Sequence, residues 1–249
     1  MSLRPMGLEQ QGPFGCIIYS SPPMDSLEFG NLPLIEVTCN LILAEQRAFA
    51  WDDIAAVRAA LKDRLPIVSD FFSGRIPSPV GFVFGTAPGA AFESDMGAKV
   101  EVRPDRLTSS WRRLGPDSNY VRFKQLFDAL QIATDALGSP AVSIVNMVYV
   151  NRAPHEQGSF RDLLRSDLFP EIVAKEVKDY NVAWLLESEV EFRLQVSPED
   201  QLAILSTAAG LWSSGDWQAE LKLVHETLQT QFLAVITQHA KEVWKWKQS

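Results

Sequence analysis

The chain has little with which to build a cross-linked or metal-held structure. Its two cysteines, Cys16 and Cys39, form neither a disulfide framework nor a C-x-x-C pair with metal or redox spacing, so the reducing cytoplasm is the expected compartment. No run approaches the ~18 apolar residues of a membrane span, and the N-terminus lacks a basic region followed by an apolar stretch. Neither a membrane partner nor a secretory signal is expected. Walker A, G-x-G-x-x-G, G-x-S-x-G and Cys/His zinc signatures are also missing, which removes support for the common nucleotide and hydrolase chemistries. No cofactor and no metal is expected.

Basic charge is in short supply too: 23 Lys and Arg face 31 Asp and Glu, a formal net charge of −8. That balance argues against the protein as a whole being a nonspecific nucleic-acid or membrane-surface binder, while leaving room for a local basic patch. With 46% apolar and 22% charged residues over 249 positions, the composition is ordinary globular and sufficient for a sizeable core. Residues 1–30, rich in Pro, Gly and Ser, read as an irregular arm, and 31–249 as a single α+β domain.

Within that domain, "LPLIEVTCNLIL" alternates with Ile35, Val37, Cys39, Leu41 and Leu43 on one face, a half-buried strand in which Cys39 is inert core. Ile54, Val57, Leu61 and Leu65 follow helical spacing from Trp51, ahead of Pro66. Residues 66–97 suggest a short strand inside long loops. "AKVEVRPDRLTSSWRR" is a hairpin turning at Arg103 to Arg106, because Pro suits the second position of a tight turn. Ser118 to Leu137 carries a helical stripe capped by Asp117 or Ser118 and ended by Gly138. "AVSIVNMVYVNR" is a strand. "SFRDLLRSDLFPEI" gives short helical turns interrupted by Pro170.

Alternation from Val182 to Val196 predicts one long amphipathic strand, followed by a turn at Ser197 to Asp200 into "QLAILSTAA". Asp216 to about Trp246 contains no Pro and one uninterrupted apolar stripe, which predicts a helix of about 30 residues. The expected fold is therefore α+β, a mainly antiparallel sheet with helices on one face and a long C-terminal helix. The other face is partly solvated or covers a partner. No repeat of fixed period is visible.

The pieces "PLIEVTCNL", "YVNR" at Tyr149 to Arg152 and "LVHETLQTQFLAVIT" occur in that order from about Leu32 onward. In this the chain resembles a sporadically distributed family of uncharacterised bacterial and archaeal proteins of about 250 residues. That family usually has Arg before the Tyr, where this chain has Val148, so any role of that Arg does not carry over. No activity transfers with the resemblance. The family's scattered occurrence, like that of mobile accessory or defence genes, implies a protein partner.

Candidate chemistry is sparse. Asn146 interrupts the row Val142, Ile144, Val148 and Val150, and reads as a buried amide bonded to backbone or water. Tyr149, on the opposite face, reads as a packing residue with a polar tip. Asn151, Arg152 and His155 form the best small polar cluster, after a strand end. His225 and His239 share the predicted last helix roughly 21 Å apart, too far for one metal, with His239 inside the apolar stripe.

Charge is uneven along the chain. Between Lys99 and Lys124 seven basic residues face three acidic ones, a local +4 that includes Arg103, Arg106, Arg112 and Arg113, with Trp111 available for stacking. From Glu171 to Asp200 eight acidic residues face three basic ones, and Glu187, Glu189 and Glu191 line one face of the predicted strand. Trp244 and Trp246 are candidate interface anchors at the helix end.

These features favour a non-catalytic interaction or adaptor protein, an accessory component of a mobile or defence-type system, contacting its partner through Glu187, Glu189, Glu191, Trp244 and Trp246. The alternative is a nucleic-acid-binding or processing factor that uses the hairpin at residues 99–124. A small-molecule enzyme using His155 ranks third.

Overall fold

The alternation of Leu34–Leu43 places Val37, Cys39, Leu41 and Leu43 in the core and leaves Glu36, Thr38, Asn40 and Ile42 half-buried on the other face. Everything else is arranged around this strand. The computed structural model describes residues 28–29, 34–73, 76–78, 81–83, 88–115, 118, 120–154, 162–169, 180–199, 202–244 and 246–247. Most of the expected N-terminal arm, residues 1–27, lies outside them, as do His155, Pro170, Asp117 and Asp200.

In chain order the elements are β1 (Glu28–Phe29), β2 (Leu34–Leu43), α1 (Trp51–Leu61), β3 (Ile67–Ser73), β4 (Ile76–Ser78), β5 (Gly81–Val83) and β6 (Pro88–Glu93). There follow β7 (Ala98–Arg103), β8 (Arg106–Arg112), α2 (Arg122–Ala136), β9 (Val142–Pro154), β10 (Tyr180–Leu185), β11 (Glu191–Glu199) and β12 (Leu202–Trp212). The chain closes with α3 (Trp217–Val235), α4 (Gln238–Val243) and β13 (Trp246–Lys247), and β13 pairs with β1.

Nine strands form one antiparallel sheet in the order β10-β11-β12-β9-β2-β8-β7-β6-β3. The α+β class with a mainly antiparallel sheet is thus as expected. Residues 66–97 contribute more strand than their glycines suggest, since β3 and β6 both join the sheet. The hairpin of β7 and β8 turns at Pro104-Asp105, between the paired Arg103 and Arg106.

Two units, each an opening strand, a three-strand meander and a closing helix, emerge from this order. β2, α1, the meander β6-β7-β8 and α2 come first; β9, the meander β10-β11-β12 and α3 follow. In each unit the opening strand lies beside the last strand of its meander, β2 by β8 and β9 by β12. The two opening strands pair antiparallel at the centre, so the units are related by an approximate two-fold axis through the β2/β9 pair. The helices obey it. Phe123 of α2 stacks on His225 of α3 at 3.9 Å between ring centroids, and Phe127 meets Trp217 at 5.7 Å, so α2 and α3 run antiparallel across the sheet.

Helix boundaries follow local chemistry. α2 begins at Arg122 rather than Ser118, because the Ser118 hydroxyl accepts from the N–H of Leu114 and of Gly115 and closes a turn there. Its end is a Schellman motif: Gly138 has φ +74°, Ser139 N–H donates to Thr134 C=O, and Gly138 N–H donates to Asp135 C=O. The Asp216 carboxylate caps α3 by accepting from Ala219 N–H.

The predicted 30-residue terminal helix does not form. α3 spans 19 residues, and Ile236 is extended with ψ 151°. The break is held from outside: Arg165 N–H donates to Val235 C=O, and Thr237 N–H donates to Leu163 C=O. The Thr237 side chain then caps α4 at Ala240 N–H. A β-branched Val-Ile-Thr run loses little by leaving the helix when neighbouring backbone supplies the bonds. The described part of "SFRDLLRSDLFPEI", residues 162–169, forms short turns and supplies that backbone.

Nor is Val182 to Val196 one strand. It is the hairpin of β10 and β11, with Leu186 N–H donating to Val190 C=O across a tight loop. The alternation survives because paired residues share a face, Val182 with Leu194 and Trp184 with Phe192. The next turn likewise shifts, since Ser197, Pro198 and Glu199 remain in β11 and Glu199 pairs with Leu202.

Glu189 occupies the left-handed position of the three-residue β10–β11 loop, with φ +60°. That backbone costs a non-glycine residue about 1–2 kcal/mol, part of which glycine returns through its greater unfolded-state entropy. Glu189→Gly is therefore expected to raise the urea midpoint by the equivalent of up to about 1 kcal/mol at unchanged slope. A lowered midpoint would show that the Glu189 carboxylate holds the turn.

Candidate functional site

Strand parity sorts the central residues between two unlike surfaces. Toward the helices point Cys39, Val145, Met147, Leu205, Phe192, Leu194, Leu107 and Trp111, all buried in one apolar cluster with Ile54, Leu130, Leu221 and Val224. The opposite face presents the intervening residues, which are half-buried or exposed in β2, β8, β9, β11 and β12.

Asn146 belongs to that second face. It stands across β9/β2 from Asn40 and across β9/β12 from Gly210. Asn40 Nδ2 donates to Asn146 Oδ1 at 2.8 Å, and Thr108 Oγ1 donates to Asn40 Oδ1 at 2.8 Å. The expected buried amide bonded to backbone or water is instead a half-buried member of a side-chain ladder spanning β8, β2 and β9. Gly210 leaves room for this pair, since a Cβ there would lie 3.0 Å from Asn146 Cβ and 3.1 Å from Val145 O and would press the neighbours outward.

Around this ladder the face is built in rows. On one side run Arg106, Ile42, Ile144 and Trp212; on the other run Ser110, Thr38, Val148 and Ala208, then Arg112, Glu36, Val150 and Ser206. Arg152 and Ile204 follow. Trp212 is 78% exposed, and Leu185 of β10 is 71% exposed on the same face. Trp212 and Leu185 are two of the eight exposed large apolar side chains among the described residues, and here they stand on one face with half-exposed Ile and Val.

The basic residues predicted from the hairpin divide between the surfaces. Arg103, Arg106 and Arg112 share the open face, whereas Trp111 is fully buried on the other side, its Nε1 donating to Met96 C=O at 3.0 Å. Trp111 cannot stack on a ligand. Arg113 is exposed beyond the end of β8, and its N–H donates to Ile35 C=O. Lys99 bridges Glu93 at 3.2 Å and Glu101 at 2.8 Å, and Arg103 pairs with Glu101 at 2.9 Å. Burial alone would lower the Lys99 pKa and raise that of Glu101, but these hydrogen bonds outweigh it and hold both groups ionised.

Other predicted sites are not assembled. Asn151 is buried on the core face and Arg152 exposed on the open one, so they cannot form one polar cluster with a third residue. Glu187 and Glu189 lie in the β10–β11 loop, and only Glu191 is in a strand, ion-paired with Arg193 at 2.9 Å. Trp244 is core, stacked on Phe232, and Trp246 lies in β13 opposite Phe29. His239 sits exposed on α4, on a different helix from His225 and outside the apolar stripe.

Under the helices lies a second concentration of polar groups. Tyr149, as expected, packs on the core side, its ring meeting His225 edge-on at 6.2 Å. His225 is buried between Phe123, Tyr149 and Gln229, and its pKa is pushed down to about 4 by burial. Burial likewise pushes the Cys39 thiol up to about 12, and raises Tyr120 and Tyr149. At neutral pH these groups are uncharged, so no thiolate or imidazolium is offered there. Nothing here is poised as a nucleophile with its base. Among the described residues no group of three or more His, Cys, Asp and Glu is arranged to hold a metal ion.

No family model matches the chain, and none of the curated proteins does.

Two measurements test the assignment of the helix side to structure. Between pH 6.5 and 4 the unfolded chain binds a proton at His225 that the folded chain refuses, so stability present above pH 6.5 falls as pH drops toward 4. The loss at pH 5 is expected to be about 2 kcal/mol, and His225→Phe, which keeps the stack on Phe123, should remove that part of the pH slope. An unchanged slope would overturn the assignment. Thr207, buried opposite Tyr149, has a hydroxyl with no hydrogen-bond partner. Thr207→Val should gain about 1 kcal/mol in a denaturant titration, and a loss would mean the hydroxyl is used.

Proposed function

We propose that this is a non-catalytic binding or adaptor protein whose contact surface is the face of the sheet that none of the described helices covers. One observation carries the reading: the helices and the apolar core occupy one side of nine strands, while the other side presents Trp212, Leu185 and half-exposed Ile and Val around a polar ladder. A surface of that kind is worth keeping only if something else covers it. The buried polar groups favour this over the enzyme reading, because they are neutral, packed and without a nucleophile–base pair. An accessory role in a mobile or defence-type system fits a protein that binds without turning over a substrate. No helix of the described residues is long and apolar enough to cross a membrane.

Tagged protein recovered from its own cells, with and without nuclease, is expected to retain a stoichiometric partner. Val148→Glu, which sets a carboxylate in the middle of the face, should abolish retention while leaving the thermal melt intact. Glu187→Ala, in the β10–β11 loop, should not. Equal retention by Val148→Glu and the unaltered chain would exclude the face.

A further inference from the structure

The two edges of the nine-stranded sheet are unlike. β3 closes one end with a register shift between Val68 and Asp70, which breaks the even row of outward backbone groups that another strand would need. β10 closes the other. Its six residues, Tyr180–Leu185, pair with β11 without a shift and contain no charge, proline or glycine, and among the described residues no strand lies on its outer side. Edges this regular and uncharged are the ones that recruit another strand.

Hydrogen-bond direction fixes what the edge offers. Leu186 N–H donates to Val190 C=O, toward β11, and this direction alternates along an antiparallel pair, so Trp184, Val182 and Tyr180 also turn inward. Asn181, Ala183 and Leu185 therefore turn their N–H and C=O outward, and all three residues are exposed. An identical strand running antiparallel about a two-fold axis at Ala183 sets Ala183 against its own copy and Asn181 against Leu185. Each outward N–H then meets an outward C=O. The side chains match as well: Val182 falls opposite Trp184 on the helix side, where both are only half-buried against the core, and the 71% exposed Leu185 gains a neighbour on the other.

Charge favours a second copy as the occupant. Two chains of −8 repel wherever they meet through acidic surface, and a two-fold axis sets each group near it against its own sign. At β10 there is nothing to repel, and nothing to hold an oppositely charged partner. On the adjoining strand Glu191 and Arg193 form a mutual ion pair at 2.9 Å. Glu187 of the two copies would lie at opposite ends of the pair, roughly 27 Å apart and beyond a Debye length of about 10 Å. The unlike edges also close the assembly, because the shifted β3 does not offer β10 of a further copy the row needed to propagate a filament.

From this we infer that two copies of the chain join through β10, antiparallel about an axis at Ala183, and make one continuous sheet of their two nine-stranded halves. The inference goes beyond the binding-face reading and does not depend on it, since the edge is used and the open face of each copy is left exposed.

Sedimentation velocity of the full chain from about 1 to about 100 μM is expected to show a monomer–dimer equilibrium. Ala183→Lys, which sets like charges opposite each other at an already exposed position, should weaken dimerisation at least tenfold while circular dichroism shows the fold unchanged, and Ala183→Glu should do the same. Mixing these two variants should restore a dimer, since Lys then faces Glu across the axis. Ala183→Pro removes an outward N–H that β11 does not use and should also weaken it at least tenfold. A chain still monomeric at the highest concentration, a dimer that survives both charged variants, or charged variants that fail to recombine overturns the inference. Val148→Glu, on the open face, should leave the dimer intact. A dimer lost with Val148→Glu and kept with Ala183→Lys would put the self-contact on that face and overturn the edge.

Discussion

The antiparallel pairing of β2 with β9 is the contact on which the molecule depends. It joins two units that each consist of an opening strand, a three-strand meander and a helix, and it makes one nine-stranded sheet of them. Neither opening strand has a free edge, because each is flanked by the other and by its own meander. Both helices that follow the meanders can then lie antiparallel over the junction, where Phe123, Phe127, Trp217 and His225 interlock. Remove the pair and each half would expose a hydrophobic strand edge.

That same pairing divides chemistry between the two faces. Val37, Cys39, Leu41, Val145 and Met147 are buried on the helix side, and burial holds the titratable groups there neutral: Cys39 remains a thiol, and His225 loses its proton. On the other side Asn40, Asn146 and Thr108 keep their hydrogen-bonding capacity at half exposure. Cys39 and His225 therefore sit where they are inert, and the residues of the open face are mostly amides, hydroxyls, arginines and aliphatics.

Much of the fold was legible in the residues. Period-two alternation located β2, β7, β8 and β9, and Pro104-Asp105 located their hairpin turn. Helical spacing found α1, α2 and the start of α3. The boundaries that moved did so because of distant partners: the backbone at 163–165 interrupts the terminal helix at Ile236, and the β10–β11 loop folds an alternating run in two without disturbing its parity. The site was less legible. Glu187, Glu189 and Trp244 had the right residue types for a contact surface, but a loop and a stack on Phe232 claimed them.

What the sequence by itself determined was periodicity, and with it which residues of a strand share a side. Arg106 and Arg112 had to share a face, and Asn146 had to break an apolar row. Which side the row faced was decided only by tertiary structure. Parity is symmetric under exchange of the two sides, whereas burial depends on where helices remote in the chain come to rest. The similar strand order of the two halves was hidden for the same reason, since two units can share a hydrogen-bonded topology without sharing a sequence pattern. Pairing is made by backbone groups that every residue but proline supplies.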